Sequence, residues 1–287
     1  MITLGVDVGT THTKVLALEV ERERVLALEV TPTPVLRDAD GEAHRPGAIL
    51  GTVVELIERV LDGLDAASIR AISVAFVGEE VVLFDRAGEP VGDAICWYDP
   101  RGREQAAAWL KGAGASLEMT RRWPPDPTFS IFKLMWLRDH RPDELGQAVA
   151  WTDLGDYVLH GLGGALVMDW THASRAGAFD LLSRRWDAAS IEAAGLGIAF
   201  PRLEPSGTRI GMMEKALAGR LGLAADVALV TGGHDHLCAA FGSGLRNDTD
   251  LFLSAGTSEA HLALLEAPLE VPLTKDRAEG IDQGCYV

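Results

Sequence analysis

The chain is short of basic residues, of cysteine and of long apolar runs, and each shortage excludes something. Lys and Arg number 26 against 42 Asp and Glu, a formal net charge of −16 over 287 residues. Such a surface repels nucleic acid and anionic membrane, so neither is expected as a partner. An anionic ligand must then be held by local backbone amides, lysine and metal, not by long-range steering. The three cysteines, Cys96, Cys238 and Cys285, are odd in number, widely spaced and outside any Cys-x-x-Cys pattern. That argues against a disulfide framework or a zinc finger and for a reduced cytoplasm. The longest apolar runs fall far short of a membrane span, and no basic, apolar, small-residue signal segment opens the chain. Core-forming residues are plentiful: 47% of the chain is hydrophobic, enough for one large domain or two modest ones.

The stretch that organises the rest is residues 4–18. Two apolar runs, residues 2–8 and 15–20, flank a turn rich in Gly and Thr, which reads as strand, turn, strand. Gly9 can take a positive φ and lets another group approach the backbone. The N–H groups and hydroxyls of Thr10, Thr11 and Thr13 would line a concave turn suited to phosphate oxygens. Asp7, at the end of the first strand, would repel a bare phosphate but suits a Mg²⁺ lying between them. An ordinary hairpin with an acidic residue near its turn is the plainer reading, since short motifs match by chance. A second copy shifts the balance. Residues 251–265 repeat the pattern, with Gly256-Thr257-Ser258 falling on Gly9-Thr10-Thr11 and Ser254 standing where the first copy has Asp7. Two matched phosphate hairpins suggest two related lobes facing each other across a nucleotide.

Between the hairpins, strands and helices alternate, which points to α/β layers. Strands are expected at residues 24–31, 69–77, 81–85, 94–97, 148–151 and 227–231. Apolar residues at helical spacing predict helices at 49–64, 103–110, 130–140, 154–162, 188–194, 212–221 and 235–241. Residues 37–46 read as a polar loop, and 121–127 as a Pro-rich irregular segment.

The second focus is Gly232-Gly233-His234-Asp235-His236. A strand emptying through two glycines into a helix aims the first helical N–H groups at a ligand. A carboxylate at that junction can face a substrate hydroxyl and take its proton, a contribution of roughly 10²–10⁴-fold. The plain alternative for Asp235 is a helix N-cap. A metal reading that uses His234 and His236 is weaker, because residues two apart do not share a helix face and no other His/Cys cluster completes a ligand set.

Several passages occur in one order along the chain: Asp7-Val8-Gly9-Thr10-Thr11; residues 94–101 with Trp97, Asp99 and Arg101; residues 126–133 with Thr128; Gly232 to His236; and Gly256-Thr257-Ser258. Met168 to Ser174 and Pro205 to Thr208 add weaker agreement. Together they resemble the FGGY carbohydrate kinases, a family that includes glycerol, xylulose, gluconate and fuculose kinases. The resemblance spans essentially the whole chain. It implies a ribonuclease H-like lobe of the actin and hexokinase type, a mixed sheet flanked by helices. It also implies a cytoplasmic, ATP-dependent transferase that phosphorylates a sugar or polyol hydroxyl. Asp235 would be the catalytic base, and Asp7 would help hold Mg·ATP, with Asp235 also near the Mg²⁺. Gly9, Thr10, Thr11, Thr13, Gly256 and Thr257 would lie against phosphates. Glu79 would grip sugar hydroxyls, with Gly78, Trp97, Asp99, Arg101 and Thr128 lining the same pocket. Trp97 as simple core and residues 99–101 as a surface turn are the corresponding plain readings.

The chain departs from glycerol kinases at three places. Thr128 replaces an aromatic, Gly78 replaces an Arg, and Gly-Gly-His-Asp-His replaces Gly-Asp-Gln. These departures favour a larger or differently shaped polyol or ketose over glycerol. Family members also carry a second lobe that binds adenosine. The expected division is therefore residues 1–247 as the N-terminal, sugar-binding lobe and 248–287 as the truncated start of the nucleotide lobe. Lacking its partner surface, the second hairpin is expected to leave apolar residues exposed. The rival from another class is a catalytically silent sugar-binding or regulatory protein. A metal-dependent hydrolase on His234, Asp235 and His236 is a distant third. A homodimer is compatible with the sequence, which does not fix oligomeric state.

Overall fold

Alternating apolar residues bury Leu4, Val6 and Val8 on one side of the first strand, and Ile72, Val74 and Phe76 do the same on its neighbour. That period-two pattern is what a sheet with a covered face demands. The computed structural model describes residues 1–37, 39–112, 125–255 and 259–265. Its principal sheet has six strands, in the order Arg209–Met212, Ala228–His234, Ile69–Phe76, Ile2–Val8, His12–Glu19 and Arg24–Pro32. The expected mixed sheet is present: Ile2–Val8, Ile69–Phe76 and Ala228–His234 run parallel, and the remaining pairings are antiparallel.

Helix Pro46–Val60 begins on a proline, whose fixed φ suits the first helical turn. Ile49, Val53, Leu56, Ile57 and Val60 form its buried stripe, and the helix packs on the sheet beside helix Leu154–Gly161. A second core gathers around helix Ser130–His140, in which Phe132, Leu134 and Leu137 are buried, and around Trp151 on strand Ala150–Asp153. Trp151 is fully buried and meets Phe200 edge-to-face, with ring centroids 5.2 Å apart.

Several elements differ from expectation. The loop expected at 37–46 contains the strand Glu42–His44, which pairs with Ala94–Ile95. The helix expected over 212–221 is divided: Met212 closes the edge strand Arg209–Met212, and the helix runs only over Lys215–Arg220. The Glu214 carboxylate sets that start by accepting the N–H groups of Ala216 and Leu217. The strand expected at 227–231 runs on through both glycines to His234. The short strand Arg202–Glu204, with a single apolar residue, offers no pattern to read. The late hairpin does form, as Leu251–Ala255 paired with Glu259–Ala263, and it is a sheet of its own. Leu251, Leu253, Leu264 and Leu265 stand exposed there, as expected of a lone hairpin. Residues 113–124 and 256–258, which include Gly256 and Thr257, lie outside the described residues.

A buried ion pair ties strand Glu42–His44 to the loop between strands Ile69–Phe76 and Val81–Phe84. His44 Nδ1 lies 2.6 Å from Glu80 Oε2, and both side chains are essentially inaccessible. Burial disfavours the charged imidazole, but Cys96 and Glu80 outweigh it and carry His44 up to about 10 from 6.5. Because the folded value is the higher, this contribution is complete below about pH 6.5 and disappears as pH rises toward about 10. Urea unfolding at intervals from pH 6 to 10 should therefore show falling stability, and His44→Gln should flatten the slope. An equal slope in the variant would assign the titration to another group.

Candidate active site

Parallel pairing brings three chain turns to one end of the sheet. Val8 and His234 both stand in register with Phe76, one on each side of it. The residues following Val8, Phe76 and His234 therefore emerge side by side, spread over about 10 Å by the ordinary strand spacing. Ligands of open α/β sheets bind at such carboxyl ends. The first turn carries Gly9, Thr10 and Thr11, the second Gly78 and Glu79, and the third Asp235.

The first turn is tight. Gly9 N–H donates to His12 O at 3.1 Å, and a Cβ on Gly9 would lie only 3.1 Å from that oxygen. Gly9 is needed for this close approach and does not use the positive φ that the sequence suggested. The Thr10 hydroxyl accepts the Trp97 Nε1–H at 2.8 Å, and Thr11 is exposed. Thr13 differs from expectation. It is fully buried, with its hydroxyl 3.0 Å from that of Thr33, which in turn donates to Gly9 O at 2.7 Å. Thr13 therefore braces the turn from behind and does not line it. Asp7 Oδ2 pairs with Lys14 Nζ at 2.6 Å, both side chains being more than a third exposed. Lys14, directly opposite Asp7 in the ladder, is a cation that the motif alone does not reveal.

The second turn has an unusual backbone. Gly78 has φ +94° and Glu79 φ +59°. A Cβ at Gly78 would come within 3.1 Å of the His234 ring, so no side chain fits there without displacement. Left-handed backbone at Glu79 turns its carboxylate inward, where it is nearly fully buried and meets Arg175 Nε at 2.5 Å. The Arg175 guanidinium lies over the Phe129 ring, 4.9 Å from its centroid. Neighbouring Glu80 acts differently, holding His44 with one oxygen and accepting the Trp97 N–H with the other at 3.1 Å. His44, Glu80 and Cys96 bring donor atoms within 4.8 Å of one another, but the His44–Glu80 pair satisfies its own charge without a metal.

Trp97 is half-buried, joining the first turn to the second, and is not simple core. Lys133, fully buried, donates to Trp97 O at 3.1 Å and to Thr128 O at 2.6 Å. Burial pushes its ammonium below the ordinary lysine value, against the pull of Glu79, Glu80 and Asp99. The Thr128 N–H and hydroxyl both donate to Asp126 Oδ1, at 2.8 and 2.6 Å. Asp99 and Arg101 are largely buried and are not a surface turn. They pair through Nε at 2.8 Å, and each also grips the Glu42 backbone: Asp99 Oδ2 accepts its N–H and Arg101 Nη2 donates to its carbonyl. Their polar groups are spent on bracing that loop.

At the third turn, the close approach of two strands dictates the glycines. A Cβ on Gly232 would sit 1.9 Å from Val74 O, at the register shift between Val230 and Gly233. His234, not Asp235, is the N-cap of helix Asp235–Gly242, and Asp235 accepts the His236 N–H at 2.6 Å. His234 makes no side-chain cap bond, so the Asp235 carboxylate does part of the capping considered for it, through Oδ1. Asp235 Oδ1 lies 2.9 Å from His234 Nδ1, and its side chain keeps 28% exposure. Burial alone would raise its carboxyl, but His234, His236 and the His236 N–H hold it below the ordinary carboxylate range. Burial keeps the His234 imidazole below its usual value, hence neutral at pH 7. The thiol of Cys238, in the first turn of the same helix, is pushed up to about 12 by burial and by the carboxylates of Asp169, Asp235 and Asp7.

This arrangement sets a Gly-Thr turn with a lysine, two partly exposed carboxylates and a buried carboxylate–guanidinium pair around one end of the sheet. Residues 2–242 match the FGGY family of carbohydrate kinases, N-terminal domain. L-fuculokinase of Escherichia coli (strain K12) is 26% identical over 273 residues, covering 90% of this chain and 55% of that protein. Autoinducer-2 kinase of Yersinia enterocolitica is 30% identical over 214 residues, covering 73% of this chain and 40% of that protein. The crystal structure of ligand-bound xylulose kinase from Lactobacillus acidophilus superposes with a TM-score of 0.81 at 24% identity, over 91% of this chain and 53% of that one. That likeness shows the sugar-kinase fold, with its mixed sheet and flanking helices. The chain spans about half the length of the relatives it matches. Extending from the first hairpin to the helix that begins at Asp235, the match shows that the chain belongs to the FGGY family of carbohydrate kinases and carries their N-terminal domain.

Proposed function

We propose that the chain is the sugar-binding, catalytic-base lobe of an ATP-dependent kinase acting on a sugar or polyol other than glycerol. Residues 1–247 form that lobe in this reading, and 248–287 begin a nucleotide-binding lobe. The observation that carries the proposal is the shared register of Val8, Phe76 and His234, which sets the Gly-Thr turn, Glu79 and Asp235 around one sheet end. Family membership supplies the reaction class.

In this reaction Asp235, ionised at neutral pH, orients the attacking hydroxyl and accepts its proton as the phosphoryl group departs from ATP. The Gly9 N–H is used within the turn by His12 O, so the backbone N–H groups of Thr10 and Thr11 and the ammonium of Lys14 face phosphate oxygens. Glu79, fixed through one oxygen by Arg175, uses its other oxygen to accept a sugar hydroxyl. Thr128 stands at the pocket's edge. The two exposed carboxylates, Asp7 and Asp235, are hard oxygen donors of the kind Mg²⁺ prefers, usually with water completing its shell. When bound, that ion would neutralise charge on the transferring phosphoryl group.

Gly78 supports a substrate other than glycerol, because its positive φ and the His234 ring beside it disfavour the arginine that glycerol kinases carry there. The Asp7–Lys14 pair and the ionised Asp235 favour a working phosphotransferase over a silent sugar-binding relic.

Two outcomes test the proposal. In a polypeptide carrying this chain with a second, nucleotide-binding lobe, Asp235→Asn should lower turnover at least about 10²-fold while the thermal midpoint stays put. Turnover near wild type would remove Asp235 as base. On the chain itself, a panel of ketoses, polyols and sugar acids read by thermal shift should reveal a stabilising ligand. Glu79→Ala should then weaken its binding by about 1–3 kcal/mol through lost hydrogen bonds. Unchanged affinity would take Glu79 out of the pocket.

A further inference from the structure

Two passages of the sequence, Met168 to Ser174 and Pro205 to Thr208, have no part in the reaction as described. The fold brings both beneath the strand end that delivers Asp235. Asp169 is fully buried at the start of helix Trp170–Ser174. Its Oδ1 accepts the Thr171 N–H at 2.7 Å and also the Thr171 hydroxyl, and its Oδ2 accepts the Ser206 hydroxyl at 2.7 Å. The Asp169 N–H is fixed in turn by Asp156 Oδ2 at 3.0 Å. The Thr171 hydroxyl, having given its hydrogen to Asp169, accepts the His234 N–H at 2.7 Å.

That last bond falls on the peptide between Gly233 and His234, one residue before Asp235. Gly233 has φ +155°, and a Cβ there would lie 2.7 Å from Thr171 Oγ1, 3.1 Å from Asp169 Oδ1 and 3.3 Å from Ser206 Oγ. The chain passes directly over the three side chains, and only glycine permits it. A carboxylate, two hydroxyls and one backbone N–H thus form a connected set, buried at Asp169 and Thr171 and reaching the surface at Ser206, in which each of these donors has an acceptor. The set meets the reacting groups through the backbone that carries Asp235.

We propose that Thr171, held by Asp169 and Ser206, is a positioning residue that fixes the Gly233–His234 backbone and thereby aims the Asp235 carboxylate at the substrate hydroxyl. The inference rests on the reading of Asp235 as base. Orientation of this kind is sensitive: a displacement of about 1 Å can cost on the order of 10²-fold in rate.

The test compares Thr171→Val, which keeps shape and loses the hydroxyl, with Thr171→Ser, which keeps the hydroxyl. Asp235→Asn serves as reference, all in a polypeptide that carries both lobes. Thr171→Val should lower kcat by about 10- to 100-fold with the sugar KM within about twofold, while Thr171→Ser should restore kcat to within about threefold of wild type. On this chain alone, amide hydrogen exchange of the segment around His234 should quicken in the Val variant and not in the Ser variant. Should Thr171→Val fail to fold, Ser206→Ala, which removes the other hydroxyl on Asp169, is expected to lower kcat at constant KM. Wild-type kcat in Thr171→Val or Ser206→Ala, with Asp235→Asn inactive, would overturn the positioning role and leave the proposed function standing. Equal losses in the Val and Ser variants would also overturn it, because they would show dependence on the methyl group and not on the hydroxyl. Full turnover by Asp235→Asn would dismiss both readings together.

Discussion

Everything at this site depends on parallel pairing of three strands whose last residues share one row. Hydrogen bonding fixes Val8 and His234 on either side of Phe76, and a slip by one residue would turn every buried side chain of a strand outward. Leu4, Val6 and Val8 on one strand and Ile72, Val74 and Phe76 on the next make such a slip prohibitive. Core packing therefore sets the spacing of the functional turns. The turns themselves are free to vary in chemistry because none of them is required to hold the sheet together.

The acidic groups beneath those turns are sorted by partner. Glu79 and Glu80 are adjacent in sequence and both buried, yet their surroundings assign them opposite duties. Both Glu80 oxygens are committed to His44 and to the Trp97 N–H, so it fastens its loop to strand Glu42–His44 and to the Trp97 backbone. Glu79 is anchored by a guanidinium that itself rests on an aromatic face. Lys133 lies in the field of Glu79, Glu80 and Asp99 while its ammonium is bonded to two carbonyls. It offsets part of the negative field while its donors tie Thr128 to Trp97. In a chain with net charge −16, such local compensation is what lets carboxylates cluster in a buried region.

Much of this is legible in the sequence, for physical reasons. The first hairpin, the central strands and the long helices announce themselves because each buries a regular apolar stripe. Asp7, Gly9 and Asp235 stand out because the Gly-Thr hairpin recurs late in the chain and a strand empties through two glycines into a helix at Asp235. What could not be read depends on distant pairing. Glu42–His44 and Arg202–Glu204 are strands only because a neighbour exists to bond them, and three residues hold no periodicity. Arg175 reaches Glu79 across 96 positions. Asp99 and Arg101 look like pocket residues, yet they are satisfied by one another and by the Glu42 backbone, which no motif could disclose. Gly232 and Gly233 are recognisable as punctuation, but they lie inside the strand, demanded by Val74 O beneath one and the Thr171 hydroxyl beneath the other. Lys14 is hidden in plain view, since only the antiparallel register sets it opposite Asp7.

On the proposed reading of Asp235 as base, its electrostatics explain why so much structure is devoted to its backbone. A carboxylate held below its ordinary range is ionised throughout the neutral region but is a weak proton acceptor. Phosphoryl transfer is well matched to such a group, because its transition state is loose and bond formation to the hydroxyl lags behind departure of the phosphoryl group. The hydroxyl gains acidity only late, so what the base must supply first is direction. Strength of the base could be raised by removing the histidines around it, but direction can come only from a rigid backbone. The hydrogen-bonded set of Asp169, Thr171 and Ser206 sits where it can provide that rigidity, and Gly233 is the residue that lets the chain rest upon it.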